Sequence, residues 1–377
     1  MLVGLIAVAQ LFNCSDFSTD QIAHPGQLAA ARDALAEHYG AANGPETRNA
    51  DCLARAAYDS ARTDLERAAA LQVRMQVAIR LDDWLTLAGI VEEGLALTAG
   101  SSPEAAALRQ QFHTGASFLA RATGDESLAR RAADEALHAS ALAEPDSWDI
   151  YEHAYLHRAT GLVCASTGTA RLVSLESPFP HHVRCDYRMD DRVHLRTEAL
   201  VDSDSNPDAE DNLLSWRLTG EATDGPYTAQ IGGLPVRFRT YPDFYPNAPV
   251  SVRSGRAGAT VFAIIAEPET PPDDTTQSAI SDFARHLVEG LIAGHTPAGP
   301  DPDVHAFALQ AAHDRYRDAL RGVSPGLALR QASGFARVAA ETAPDADGRL
   351  AAEQIAADIA AFTERESGQG EGLPPRD

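Results

Sequence analysis

The sequence predicts an α+β protein of several domains: an N-terminal array of α-helical hairpins, a central antiparallel β-sheet, and C-terminal helices packed on or beside that sheet. Three observations predict it. Apolar residues recur at three and four through residues 18–160, the helical beat. After Gly168 the rhythm becomes strict alternation, the beat of strands. After Pro268 the helical beat returns. At 377 residues the chain is long enough for two or three domains, with cores that need no metal or disulfide.

The elements follow in chain order. Residues 1–17 hold an apolar run, Leu2 to Phe12, of signal-peptide length but without a basic leader, so it reads as an export signal or as a first core helix. Residues 18–168 form the helical-hairpin domain, with helices expected at 18–39, 48–62, 64–81, 83–99, 103–123, 126–144 and 147–160. Alanine and leucine dominate there and β-branched residues are sparse. Ser102-Pro103 is a cap followed by a proline at the first helical position, where its missing N–H costs nothing. Gly124-Asp125 and Glu144-Pro145-Asp146 break neighbouring helices.

Two of these hairpins share a frame. Gly124-Asp125 is followed by Ala129 and by Ala136-Leu137; Asp83-Trp84 leads to Leu87, Val91 and Gly94-Leu95. This turn, small residue and small-Leu pair resembles the tetratricopeptide-type repeat, over about residues 70–160. The chain departs from that pattern in period, since Asp83 and Asp125 lie farther apart than the repeat's usual spacing of about 34 residues, and Pro145 falls a turn late. The resemblance implies an array whose groove holds a protein or peptide partner.

Residues 169–267 form the antiparallel β domain. Val183, Cys185, Tyr187 and Met189 alternate with Arg184, Asp186 and Arg188; after Asp190-Asp191, Val193, Leu195 and Thr197 alternate with Arg192, His194 and Arg196. That is a hairpin with one buried and one charged face. Further strands are expected at 213–220, 227–231, 234–241, 249–253 and 259–266, the last apolar throughout like a central strand. Residues 268–366 are the C-terminal helical region, with helices at 276–293, 303–321, 325–341 and 347–366, and Ser324-Pro325 repeats the cap-and-proline start. Residues 367–377 read as a disordered tail.

Charge narrows the function. The 54 acidic residues outnumber the 31 basic ones, every basic residue is Arg, and the net charge is -23. Without lysine there is no complete P-loop, no Schiff-base lysine and no Ser-x-x-Lys acylating site. Such acidity opposes binding to nucleic acid or anionic lipid. No other stretch reaches the roughly 18 apolar residues needed to span a bilayer. Nucleophile-elbow and dinucleotide-binding glycine motifs are absent.

Four groups of residues could carry a site. Arg184, Arg188, Arg192 and Arg196 place guanidinium forks on one sheet face, suited to carboxylate, sulfate or phosphate, though Asp186 and Glu198 share that face and would neutralise part of it. On a helix over 147–160, Asp149, His153 and His157 would share a face with His181 in reach, a zinc-like set. Asp202, Asp204, Asn206 and Asp208 space oxygen ligands like the first half of a calcium loop, with Pro207 at the position where that loop needs Gly. The loop Tyr241 to Pro249 could offer aromatic contacts or pin itself over the sheet edge. Cys164 and Cys185 read as core residues or as a disulfide joining the helical part to the hairpin. The expectation is a non-catalytic protein–protein interaction or scaffolding protein with no cofactor, periplasmic or secreted rather than cytoplasmic. The alternatives are a metal-assisted hydrolase using Asp149, His153, His157 and His181 with zinc, or a small-anion binder with its site in the β domain; the acidic loop would separately suit calcium.

Overall fold

The computed structural model describes residues 14, 24–36, 44–190, 192–202, 213, 224–231, 234–245, 248–294 and 299–369. The chain forms two compact units, Met1–Pro145 and Asp146–Asp377.

The first unit is helical in its described residues: α1 (His24–Ala36), α2 (Pro45–Ser60), α3 (Asp64–Arg80), α4 (Trp84–Leu97), α5 (Pro103–Ala122) and α6 (Glu126–Ala143). Each helix packs on the next, and α3 also meets α1 and α5. The starts are set by side chains. Thr63 and Glu66 form a reciprocal capping box on α3, and the Ser102, Asp83 and Asp125 side chains each accept a backbone N–H from the first turn of their helix. The α3–α4 and α5–α6 turns close alike. Asp83 N–H donates to the Ala78 carbonyl at 3.0 Å and Asp125 N–H to the Ala120 carbonyl at 2.8 Å. Between them the chain turns left-handed, at Asp82 (φ 52°) and at Gly124 (φ 78°).

Small residues bring these helices close. Leu71, Leu87, Ile90 and Phe112 are fully buried together, and a side chain on Gly94 would overlap the Phe112 ring. Buried charge is paired: Asp51 takes Arg55 at 2.8 Å and Arg74 of α3 at 3.2 Å. Tyr58 hydrogen-bonds Glu93 of α4, and burial, with that bond, pushes its phenol up to about 12. Cys14 is disulfide-bonded to Cys52; the rest of residues 1–17 lies outside the described residues.

The second unit opens on strands where the sequence predicts a helix. Residues 147–160 are not helix but strands β1 (Trp148–Tyr151) and β2 (Ala154–His157), paired antiparallel with Trp148 opposite His157. Trp, Ile and Tyr crowd this segment, and such residues fit a pleated, half-buried surface better than a helix. Strand β3 (Val163–Ala165) completes a three-stranded sheet. A larger antiparallel sheet holds β4 (Ala170–Phe179), β5 (His182–Met189), β6 (Val193–Val201), β7 (Asp224–Ile231), β8 (Leu234–Tyr245), β9 (Ala248–Ala257) and β10 (Thr260–Pro268). Its order is β4-β5-β6-β10-β9-β8-β7, so two meanders join where β6 pairs with β10. Every residue of β10 is buried, as its apolar run requires. The strand expected at 213–220 lies outside the described residues apart from Leu213, which packs on Val250, Val252 and Ile265.

Helices α7 (Asp274–Gly294), α8 (Pro302–Leu320), α9 (Pro325–Thr342) and α10 (Ala346–Gln369) follow. Phe283 of α7 meets Tyr187 of β5 edge-on at 4.8 Å, which seats this helix on the sheet. Ser324 does not cap α9: it adopts a left-handed conformation (φ 41°) just after the tight turn at Gly322, and its side chain makes no cap bond, while Pro325 does begin the helix. Cys164 of β3 is bonded to Cys185 of β5, so this disulfide joins two β elements and not a helical part to a hairpin. Residues 370–377 lie outside the described residues. Among the described residues no helix is long and apolar enough to cross a membrane.

Candidate functional site

A cavity of about 650 Å3 opens in the second unit between the ends of the sheets and helices α7 and α9. Its space comes from what the sequence leaves out. Gly161, Gly258, Gly290, Gly294 and Gly334 line it with Ala159, Ala257, Ala259 and Ala293. The turn at Gly161 (φ 73°) is closed by its N–H on the His157 carbonyl at 2.9 Å, and a side chain there would meet the Cα of Gly294 at 3.9 Å. Thr260 Oγ1 donates to the Thr160 carbonyl at 3.0 Å, pinning this turn to the β9–β10 turn. Gly334 lets α9 lie against the Ala293 carbonyl, where a side chain would collide.

The polar groups of the cavity are basic or neutral. Arg158 comes from the turn after β2; Arg330, Gln331, Ser333 and Arg337 come from α9. Leu327, Arg330, Gln331, Gly334 and Arg337 repeat at three and four, so one helical face looks into the space. Of the described residues that line the cavity none is acidic. Carboxylates stand behind the guanidiniums: Asp149 accepts from Arg158 Nε at 2.8 Å and lies 3.8 Å from Arg330, and Glu341 lies 3.2 Å from Arg337. Forked donors held by carboxylates in this way suit a carboxylate or phosphate. No family model, no curated protein and no solved structure matches the chain.

The residues singled out from sequence are placed differently. Arg184 pairs with Glu198 at 3.0 Å, Arg188 with Glu269 at 3.5 Å, and Arg196 with Asp186 at 2.6 Å. Arg192 lies in the β5–β6 turn. The register sets Arg184 opposite Glu198 and Arg196 opposite Asp186, so the charged face pairs across its strands. His194 adds a bridge, 3.2 Å from both Asp186 and Glu267. Its hydrogen bonds to Asp186 and Glu267 raise it to about 9. Burial opposes ionisation of Asp186, yet its bonds from His194 and Arg196 hold it down at about 2.

Asp149, His153, His157 and His181 are not brought together. Asp149 pairs with arginines, His153 is exposed in the β1–β2 turn, and His181 stacks on Phe179 at 6.2 Å. His157 is fully buried, 3.0 Å from Thr160 Oγ1 and edge-on to Trp148 at 5.2 Å. Burial, with the charge of His182, lowers it to about 4. Among the described residues no three His, Cys, Asp or Glu stand where they could hold a metal ion. Asp202 pairs with Arg256 at 2.6 Å; Asp204, Asn206 and Asp208 lie outside the described residues, as do Asn247 and Pro246 of the aromatic loop. Sequence reasoning missed Arg158, Arg330 and Arg337. The available signal was Gly334 in mid-helix, flanked by Arg330 and Arg337 one turn either way.

Proposed function

We propose that the chain is a binding protein whose second unit captures a small organic anion, a carboxylate or phosphate. The observation that carries this reading is the glycine-walled cavity with three arginines and no acidic residue among its described walls. A concave space of this size with few convergent polar groups is the usual form of a small-molecule site. The test is calorimetric titration of the full chain with inorganic phosphate and with sulfate at constant ionic strength. Binding should weaken about tenfold in Arg330→Ala and again in Arg337→Ala, as loss of a charge-assisted bond requires. No heat and no thermal stabilisation with either anion sinks the reading.

A second reading concerns the first unit, and the repeated α3–α4 and α5–α6 turn supports it. In it the helices are tetratricopeptide-like hairpins that dock a protein or peptide. Leu85 and Phe118 stay exposed there, 66% and 49%. A partner retained by the native chain and lost by Leu85→Glu or Phe118→Glu would support docking; equal retention would not. The two disulfides fit residence in an oxidising compartment, periplasmic or secreted, and that too is part of the proposal.

A further inference from the structure

The arginine cavity has a neighbour in the same unit. A second cavity, of about 350 Å3, shares Val163, Leu327 and Gln331 with it as common wall. Helix α7 comes close to this shared wall: a side-chain carbon placed on Gly290 would lie 3.6 Å from Gln331 Nε2 and 3.9 Å from Val163. Gln331 is an unbranched amide with three rotatable bonds, so it can swing aside and keep a hydrogen bond to offer on either side.

The two chambers differ in chemistry. Among its described walls the first gathers three guanidiniums and no acidic residue. The second has an apolar side of Phe283, Leu287 and Val323, a polar side that includes Ser166, Thr167 and Asp318, and the exposed His286 imidazole in its wall. Among its described walls the guanidinium is Arg315, which already answers two carboxylates, Asp318 at 3.3 Å and Glu289 at 3.7 Å. A second anionic group would find Arg315 already engaged by Asp318, whereas an uncharged ring would meet Phe283 and Leu287.

Resting on the anion-binding reading above, we propose that the two cavities are one bipartite site for an organic phosphate or carboxylate that is charged at one end only and carries an aromatic extension. The charged end sits among Arg158, Arg330 and Arg337. The extension passes Gln331 and lies against Phe283 and Leu287. Two unlike chambers of this kind discriminate by the far end of the ligand as well as by its charge.

The test is titration of the full chain with inorganic phosphate, phenyl phosphate and 1-naphthyl phosphate at constant ionic strength. 1-Naphthyl phosphate should bind about tenfold tighter than inorganic phosphate, the gain expected from burying one ring system. His286→Trp, which fills the second chamber from an exposed position, should abolish that gain and leave phosphate binding unchanged; Val323→Trp, at another exposed wall position, serves as a second variant should the first misfold. Phosphate binding with no gain from the aromatic extension overturns the bipartite site and leaves the anion reading standing. A gain that survives in a folded tryptophan variant overturns it as well, because the extension then lies elsewhere. Failure of all three ligands removes the anion reading itself, and the bipartite site with it.

Discussion

At the scale of single residues, two histidines tilt stability in opposite directions. His194, raised to about 9 by Asp186 and then Glu267, holds its proton in the fold when the unfolded chain would release it. Its contribution is complete below the unfolded value near 6.5 and is lost as pH rises through about 9. His157, lowered to about 4 by burial, works the other way: between about 4 and 6.5 the unfolded chain binds the proton and the fold does not, so stability falls as the medium is acidified. Urea unfolding from pH 4 to 10 should therefore show a maximum near neutrality. His194→Gln should cost about 3 kcal/mol at pH 6 and much less at pH 10, since it breaks a buried ionic bridge only while that bridge is charged. A pH-independent cost would contradict the bridge. Asp51→Ala should cost about 3–5 kcal/mol in the first unit, because it strands buried Arg74. These networks were half legible. Alternation along β5 and β6 put Asp186 and Glu198 on the arginine face, which is why the register neutralises it. Glu267 arrives from β10, and nothing local to the β5–β6 hairpin announces it.

At the scale of elements, the clearest test is the repeated turn. Asp82 and Gly124 occupy the same left-handed position, and only glycine adopts it without steric cost. Asp82→Gly should stabilise the first unit by about 0.5–1 kcal/mol, and Gly124→Ala should destabilise it by about 1 kcal/mol. Thermal melts of the two variants shifting in the same direction would show the turns to be unlike. Most helices here were legible because caps, prolines and glycines punctuate them. The stretch 147–160 was not: a short segment with Trp148, Tyr151 and Tyr155 fits a helical beat by count, and only its aromatic content argues for strands. The pocket face of α9 was hidden for a related reason. Arg330 and Arg337 opposite an Ala and Phe face read as solvated charges until α7 and the 158–161 turn are placed beside them.

At the scale of the whole molecule, the order of helical, strand and helical regions was readable from rhythm, but the sheet order was not. The β6–β10 pairing joins residues distant in sequence, and its partner choice depends on where the connecting chain runs. Each compact unit contains one disulfide, Cys14–Cys52 in the first and Cys164–Cys185 in the second. Replacing either pair by serines should lower stability by about 3 kcal/mol, on loop-closure grounds, and should do so in its own unit. Thiol titration of the native chain without reductant should find none free among the four cysteines, and a free thiol would break the assignment.

The Trp148–His157 contact also makes the molecule its own optical gauge. A neutral imidazole leaves indole emission bright, whereas an imidazolium dims it by accepting an electron. Because His157 stays neutral down to about 4, the Trp148 signal should hold steady through mild acid and fade only when a proton reaches that ring. With Trp84 and Trp216 changed to phenylalanine, the remaining emitter would report the loosening of the three-stranded layer separately from everything else in the chain.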